Sequence, residues 1–550
     1  MVSGLRWLAP AAADAPKPSG VATSLRGTAH SADAAGPSPP ELRVGTVVAD
    51  RTLAGEVVCG RAARVSVSRT SCGFVVWWGD RTCSQVRSPL FFPPTCDGAT
   101  VAAVSILRDP VHGDIELTKD ELRLVDTAEF QRLRGVKQLG SASLVYPGAV
   151  HTRFEHSIGT LHVCEQLLAA CNKNAQRDPA GCHRVVDDER RVLRAAALLH
   201  DVTHIPYGHN IEDQTGLLPR HDLPERFAAV LGDTELGAEL DRQGLRAPVL
   251  SVLTGQGVPV PPFWRQVVSD TIDADLLDYL RRDAHFTGLE LRYDRRVVDY
   301  FRVDRRSQQL FVDCEKNGML REDIVSELLR VLECRYHFSE RVYYHHAKIA
   351  AGASLSRMVE LALRAGALTG DELQRSTDEA LVWRLGQLDL GEAAATARLH
   401  RFVARYRRRA LLKRVLVLPY YQNQSVQEEL LRTYFTPGQP EARFRWEAER
   451  EAEAKAVFGQ AIDVVLYCPK RRMQLKEART LVRFPGSGER MLPLDAFAED
   501  IPRLCDLADS YPRMWKLYVF TSLEDEGLRR KLQQMCLGAL PAGCRNAFVL

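Results

Sequence analysis

Residues 195–209, AAALLHDVTHIPYGH, end an apolar helical run on the adjacent pair His200 and Asp201, then add His204 and His209. Imidazole nitrogens and carboxylate oxygens together suit Mn, Fe, Zn or Ni, and a shell of two His and two Asp leaves positions for water and a phosphate oxygen. An ionised Asp201 at the end of so apolar a run calls for a counter-charge, and a bound cation is one way to supply it. On a helix, His200 and Asp201 would share a face with His204. The pattern from His200 to His204 also imitates the H-E-x-x-H of zinc proteases. Asp201 stands where that motif carries its general-base Glu and has a shorter reach, which argues against protease chemistry.

Two other segments complete the donor set. In YPGAVHTRFEHSIGTLHVCEQLLAAC, Pro147 and Gly148 break the chain before a helix with apolar residues every three or four positions, which puts His156 in its first turns and Arg153 on nearly the same face. In DTIDADLLDYLRRDAHF, Asp275, Asp278, Tyr279 and Arg282 form one helical stripe. The helix over 190–199 delivers His200 and Asp201, and Pro206 and Gly208 end it before His209. His156, His200, Asp201 and Asp275 thus form a two-His, two-Asp set drawn from three helices.

The 550 residues are enough for about two to four domain-sized units, and an apolar fraction of 45% is enough for packed cores. Lys and Arg total 73 against 70 Asp and Glu, so the chain lacks the overall charge of a DNA-coating protein and any anion must be bound locally. The 13 cysteines are odd in number, scattered and without a C-x-x-C pair, which fits reduced thiols in a cytoplasmic protein. No apolar run approaches the roughly 20 residues that span a bilayer, and Pro10 breaks the short apolar segment of the leader, so neither membrane nor secretory signal is expected.

Residues 1–41 are rich in Ala, Pro, Ser and Gly and are expected to be disordered. Residues 42–100 hold β-like runs, RVSVS and GFVVWW, with Cys59, Cys72, Cys83 and Cys96 spaced too irregularly to favour zinc. The core begins at Ile106 with a hairpin, ILRDPVHGDIEL, turning at Pro110 and Gly113. Residues 322–415 read as helix, and the basic run from Arg405 to Arg414 reads as a solvated helix face rather than a nucleic-acid site. AIDVVLYCP, the two halves of LVRFPGSGERMLPL, and KLYVFTS read as strands of a C-terminal lobe. The expected protein is mainly α: a poorly ordered extension with a possible small β segment over 1–104, a helical core over 105–415 and a small α/β lobe over 416–550.

In their order, HTRFEHSIG, LLHDVTHIPYGH and DADLLDYLRRD resemble the HD-domain phosphohydrolases. DPVHGDIEL, VDTAEFQRLRGVKQLG and YPGAVHTRFEHS narrow the resemblance to the deoxynucleoside triphosphate triphosphohydrolases, from about residue 106 through 348 and more faintly around Tyr467. The resemblance implies an HD helical core with His156, His200, Asp201 and Asp275 as metal ligands. It implies attack of a water-derived oxygen on the α-phosphorus, releasing deoxynucleoside and inorganic triphosphate. Mg joins Mn, Fe and Zn as a candidate metal, and a second Mg is implied with the substrate phosphates. Arg153 and His204 match groups that hold the α-phosphate, His209 a proton donor or relay, and His221 and Glu212 its supporting groups. Gln138, Leu139, Tyr343 and Asp283 match residues that crowd the deoxyribose. Tyr279, Arg335 and His345 fall at further substrate positions.

The resemblance also implies a homo-oligomer. Three positions depart from the family: Leu276 replaces a phosphate-binding Lys, Glu212 a supporting Asp, and Ser105 a regulatory Lys. A hydrolase of another phosphoester, a deoxynucleoside monophosphate or a signalling nucleotide, is the enzymatic alternative. A catalytically silent nucleotide- or nucleic-acid-binding scaffold is the other.

Overall fold

The computed structural model describes the backbone of strands between residues 57 and 91, and residues 105–215, 219–469, 473–488 and 490–550. The chain divides into two compact units, Met1–Ala99 and Thr100–Leu550. In the first, Val57–Val58, Ala63–Thr70, Gly73–Asp80 and Leu90–Phe91 form one sheet in that order, with RVSVS and GFVVWW paired as antiparallel strands. The disorder expected over 1–41 and the zinc question at the four cysteines lie outside the described residues.

The second unit is mainly helical. It opens with the hairpin β1 (Ser105–Asp109) and β2 (Gly113–Leu117). The long helix α1 (Arg153–Arg177) starts where Glu155 accepts a hydrogen bond from the Thr152 backbone N–H at 2.6 Å, and it buries Phe154, His156, Ile158, Leu161 and Leu168. Helix α2 (Asp187–Leu199) begins with three acidic residues, which suit its N-terminal dipole, and its last eight residues are all buried. The helix stops at Leu199, and the chain passes through turns to the short helix α3 (His209–Thr215). His204 therefore does not share a helix face with His200, and the helical-spacing argument for it is corrected: Tyr207 and Gly208 take left-handed conformations, φ 57° and 43°, and fold the segment back on itself.

Helix α4 (Ala274–Thr287) is capped by Asp273, whose side chain accepts from the Leu276 N–H at 2.7 Å, and it ends at left-handed Gly288. It approaches α1 at Gly159, where a methyl group would lie 2.0 Å from Asp278 Oδ1 and 2.2 Å from Arg282 Nη2. Only glycine admits that approach.

Strands β3 (Phe301–Val303) and β4 (Leu310–Asp313) lead to helices α5 (Glu322–Phe338) and α6 (His346–Arg364). A three-stranded antiparallel sheet follows from β5 (Lys413–Pro419), β6 (Val464–Tyr467) and β9 (Lys516–Thr521), in the order β5-β9-β6. The strands on either side of PGSG, β7 (Leu481–Arg483) and β8 (Leu492–Pro493), do not join it. β7 instead pairs in parallel with β4, giving the order β8-β7-β4-β3, and Val482, Leu494 and Leu504 pack in the same apolar core as α1 and α2. The basic run leaves its helix at Arg407: Arg409 donates to the Leu144 carbonyl at 2.6 Å, and the Arg414 guanidinium lies 4.4 Å over the Phe548 ring. No helix among the described residues is long and apolar enough to cross a membrane.

Candidate active site

Four expected donors converge where α1, the end of α2 and the start of α4 meet. His156 Nε2 lies 3.1 Å from His200 Nε2, 3.0 Å from Asp275 Oδ1 and 3.6 Å from Asp201 Oδ2. His200 Nε2 lies 3.6 Å from Asp201 Oδ1 and 3.7 Å from Asp275 Oδ1. His156, His200 and Asp201 are buried, whereas the Asp275 side chain keeps 29% exposure and opens the cluster to solvent.

The far nitrogens show why the cluster suits a cation. His200 Nδ1 donates to the Ala197 carbonyl at 2.8 Å, and His156 Nδ1 donates to Asp278 Oδ2 at 2.7 Å. With each Nδ1 held by an acceptor, both Nε2 atoms face the cluster 3.1 Å apart, a separation that calls for a proton or a cation between them. Anchoring Nδ1 on a carbonyl or carboxylate is the usual support of a metal-bound imidazole. Burial alone would lower the pKa of His156, but the Asp275 and Asp278 carboxylates push it up to about 10. That excess of negative charge is what a divalent ion would balance.

Arg153 and His204 both bind Asp201. Arg153 Nη1 donates to Asp201 Oδ2 at 2.5 Å, and His204 Nε2 lies 3.1 Å from Oδ1. Arg153 Nε and His204 Nδ1 are buried with no hydrogen-bond partner. Burial, Arg153 and His221 hold the His204 imidazole well below its ordinary pKa, which keeps it neutral. His204 stacks on His221, and His221 Nδ1 meets Glu212 Oε2 at 2.7 Å. His209 is exposed, with its ring 5.2 Å edge-on from that of His204. These three histidines place nitrogens within 4.8 Å of one another.

Aromatic side chains lead away from the cluster. The Tyr279 ring lies 6.5 Å from that of His156, and Tyr343 lies 6.4 Å beyond Tyr279. Tyr343 donates its hydroxyl proton to Asp283 Oδ2 at 2.7 Å, and His151 Nε2 lies 2.9 Å from Asp283 Oδ1. The Gln138 N–H donates to the His151 carbonyl at 3.0 Å, which sets Gln138 next to His151 in space, Leu139 follows it and is buried, and Gln138 Oε1 is buried without a partner. Arg335 donates to the Tyr279 hydroxyl at 2.7 Å and pairs with the buried Glu477 at 2.8 Å. His345 caps α6, accepting from the Ala347 N–H at 3.3 Å, with its ring 6.2 Å from Tyr146. Leu276 is buried in the apolar core.

Sequence reasoning missed four supporting groups. Asp278 and Arg282 were legible only as a polar stripe. His151 lay inside a motif with no role assigned to it, and nothing local marked Glu477 as the partner of Arg335.

Family models described as an HD domain and an HD associated region match residues 153–254 and 314–522. The uncharacterized protein YwfO of Bacillus subtilis is 32% identical over 264 residues, covering 47% of this chain and 55% of that protein. An uncharacterized protein of Methanocaldococcus jannaschii is 28% identical over 286 residues, covering 51% and 54%. The deoxynucleoside triphosphate triphosphohydrolase SAMHD1 of Homo sapiens is 28% identical over 276 residues, covering 44% and 42%. The chain spans about half the length of the curated relatives it matches.

Proposed function

We propose that this chain, which carries an HD domain and an HD associated region, is an HD-domain phosphohydrolase that cleaves deoxynucleoside triphosphates to the deoxynucleoside and inorganic triphosphate, using a divalent metal. The observation that carries this reading is the convergence of His156, His200, Asp201 and Asp275, with both Nδ1 atoms anchored and Arg153 and His204 held on the same Asp201. A bound divalent ion supplies Lewis acidity towards water and a phosphoryl oxygen. Arg153 brings a guanidinium to the α-phosphate, and neutral His204 would redirect its single N–H from Asp201 to that phosphate. A water oxygen bonds to the α-phosphorus and releases its proton to solvent, the bond from phosphorus to the 5′ oxygen breaks, and that oxygen takes a proton from His209, which solvent at the rim reprotonates. His221, held by Glu212, lies 4.9 Å from the His209 ring and completes the relay. Tyr343 packs against C2′ and leaves no room for a hydroxyl, and Asp283 accepts from the 3′-OH. A second Mg with the phosphates and a homo-oligomer belong to the same reading and rest on resemblance.

One observation favours a less charged phosphoester. Leu276 offers no cation, and Arg335 is already paired with Glu477. The test is product analysis of metal-loaded protein with each dNTP, each NTP and each dNMP, beside Asp201→Ala. Triphosphate plus deoxynucleoside supports the first reading, and orthophosphate from dNMP alone supports the second. Turnover of neither by wild type removes both.

A further inference from the structure

The turn that closes the β1–β2 hairpin reaches the back of the four-donor cluster. Asp109 Oδ1 accepts from the backbone N–H groups of Val111 and His112 at 2.9 and 2.8 Å, which folds the turn. The His112 side chain is 3% exposed, and its Nε2 donates to Asp278 Oδ1 at 2.7 Å. The other oxygen of Asp109 accepts from Arg282 Nη1 at 2.8 Å. Arg282 gives its Nε and Nη2 to the two oxygens of Asp278, each at 2.9 Å.

Asp278 therefore accepts four hydrogen bonds: His112 and Arg282 on Oδ1, His156 Nδ1 and Arg282 on Oδ2. A carboxylate offers about four lone-pair sites, so all are filled and the group cannot rotate freely. The direction of the His156 ring is set by Oδ2, and the position of Oδ2 is set from behind by His112 and by Asp109 through Arg282.

We propose that the turn from Asp109 to His112 is a strut for the metal centre, with His112 a positioning residue that acts on His156 through Asp278 and raises the affinity for a divalent ion. The strut rests on the metal reading above. Docking the hairpin alone would need only the pair of Asp109 with Arg282; His112 adds a bond to the one carboxylate that also holds a metal-facing imidazole. Without it, Oδ1 keeps one donor, Asp278 tilts towards Arg282, and His156 Nε2 turns off the point shared with His200 and Asp275.

The test is titration of metal-stripped full-length chain with Co2+, read by its visible absorption, and of metal-free thermal melts. His112→Ala is expected to bind Co2+ about 10–100-fold more weakly, with an altered spectrum and a metal-free melting temperature close to wild type. His112→Gln, whose amide can donate to Asp278, recovers most of the affinity. Should the alanine variant fail to fold, His112→Asn, too short to reach Asp278, reads the same loss. Equal affinity in His112→Ala or His112→Asn and wild type overturns the strut, as does a loss in His112→Gln as large as theirs. Wild type that binds no Co2+, or Asp201→Ala that binds as tightly as wild type, overturns the metal reading and the strut with it.

Discussion

His204 stacks on His221 with ring centroids 3.7 Å apart and planes at 22°, and Glu212 fixes the pair through His221 Nδ1. Glu212 is buried, so its charge is held inside the site and orients both rings without touching the four metal-facing donors. Glu212→Ala is expected to lower kcat about 100-fold while leaving Co2+ affinity within a few-fold of wild type. Steady-state kinetics beside a metal titration checks both, and a loss of metal binding equal to the loss of rate would contradict a role in proton transfer.

The metal-free chain should lose stability as the pH rises. The Asp275 and Asp278 carboxylates outweigh burial and push His156 from its ordinary 6.5 up to about 10. A raised histidine contributes stability that is fully present below its unfolded pKa and disappears as the pH passes through the folded value. The melting temperature of metal-free protein should therefore fall between about pH 6.5 and 10. Metal-loaded protein should show a flatter profile there, because the ion takes the place of the proton. Parallel profiles with and without metal would argue that no ion binds at His156.

Helix punctuation gathered two of the expected donors, with Pro147 and Gly148 before His156 and the apolar run before His200, whereas Asp275 was placed only by its helical stripe and the resemblance. His204 was misplaced because the apolar pattern continues through Val202 and Ile205, whereas the backbone leaves the helix after Leu199. The bond from His112 to Asp278 joins residues 166 positions apart, and no local periodicity encodes such a pair. The same holds for β7, whose alternation is that of any strand but which pairs with β8 and with the distant β4 rather than joining the sheet of β5, β9 and β6.

Gly159 is a mid-helix glycine whose replacement should be severe. A methyl group there meets Asp278 Oδ1 at 2.0 Å and Arg282 Nη2 at 2.2 Å, so α1 and α4 must separate. Gly159→Ala is expected to destabilise by about 3 kcal/mol and to weaken metal binding. Gly538→Ala is the control, since a methyl group there meets nothing within 4 Å; it should be neutral or stabilising by up to about 1 kcal/mol. Denaturant melts of both variants test the contrast.

Sugar selection should reside in Tyr343, whose hydroxyl is held 2.7 Å from Asp283. Wild type is expected to favour dGTP over GTP, and Tyr343→Ala to erode that preference by up to about 100-fold in kcat/KM. Equal turnover of dGTP and GTP by wild type would sink the assignment.

Glu477 governs the charge that Arg335 can offer. Its carboxylate is fully buried and lies 2.8 Å from a guanidinium that is 17% exposed, so the pair is largely shielded from solvent. Removing one member of such a pair leaves an uncompensated charge, a cost of about 3–5 kcal/mol when fully buried. Glu477→Gln keeps the shape and should therefore melt lower than wild type in the absence of ligand. The freed guanidinium also becomes available to the outer phosphates, so KM for a dNTP should fall about tenfold with kcat little changed. Inorganic tripolyphosphate should then raise the melting temperature of Glu477→Gln by more than that of wild type, because the anion takes the place of the lost carboxylate. An equal rise in both would show that Arg335 does not face the phosphate chain, and would leave Glu477 a purely internal partner of α5.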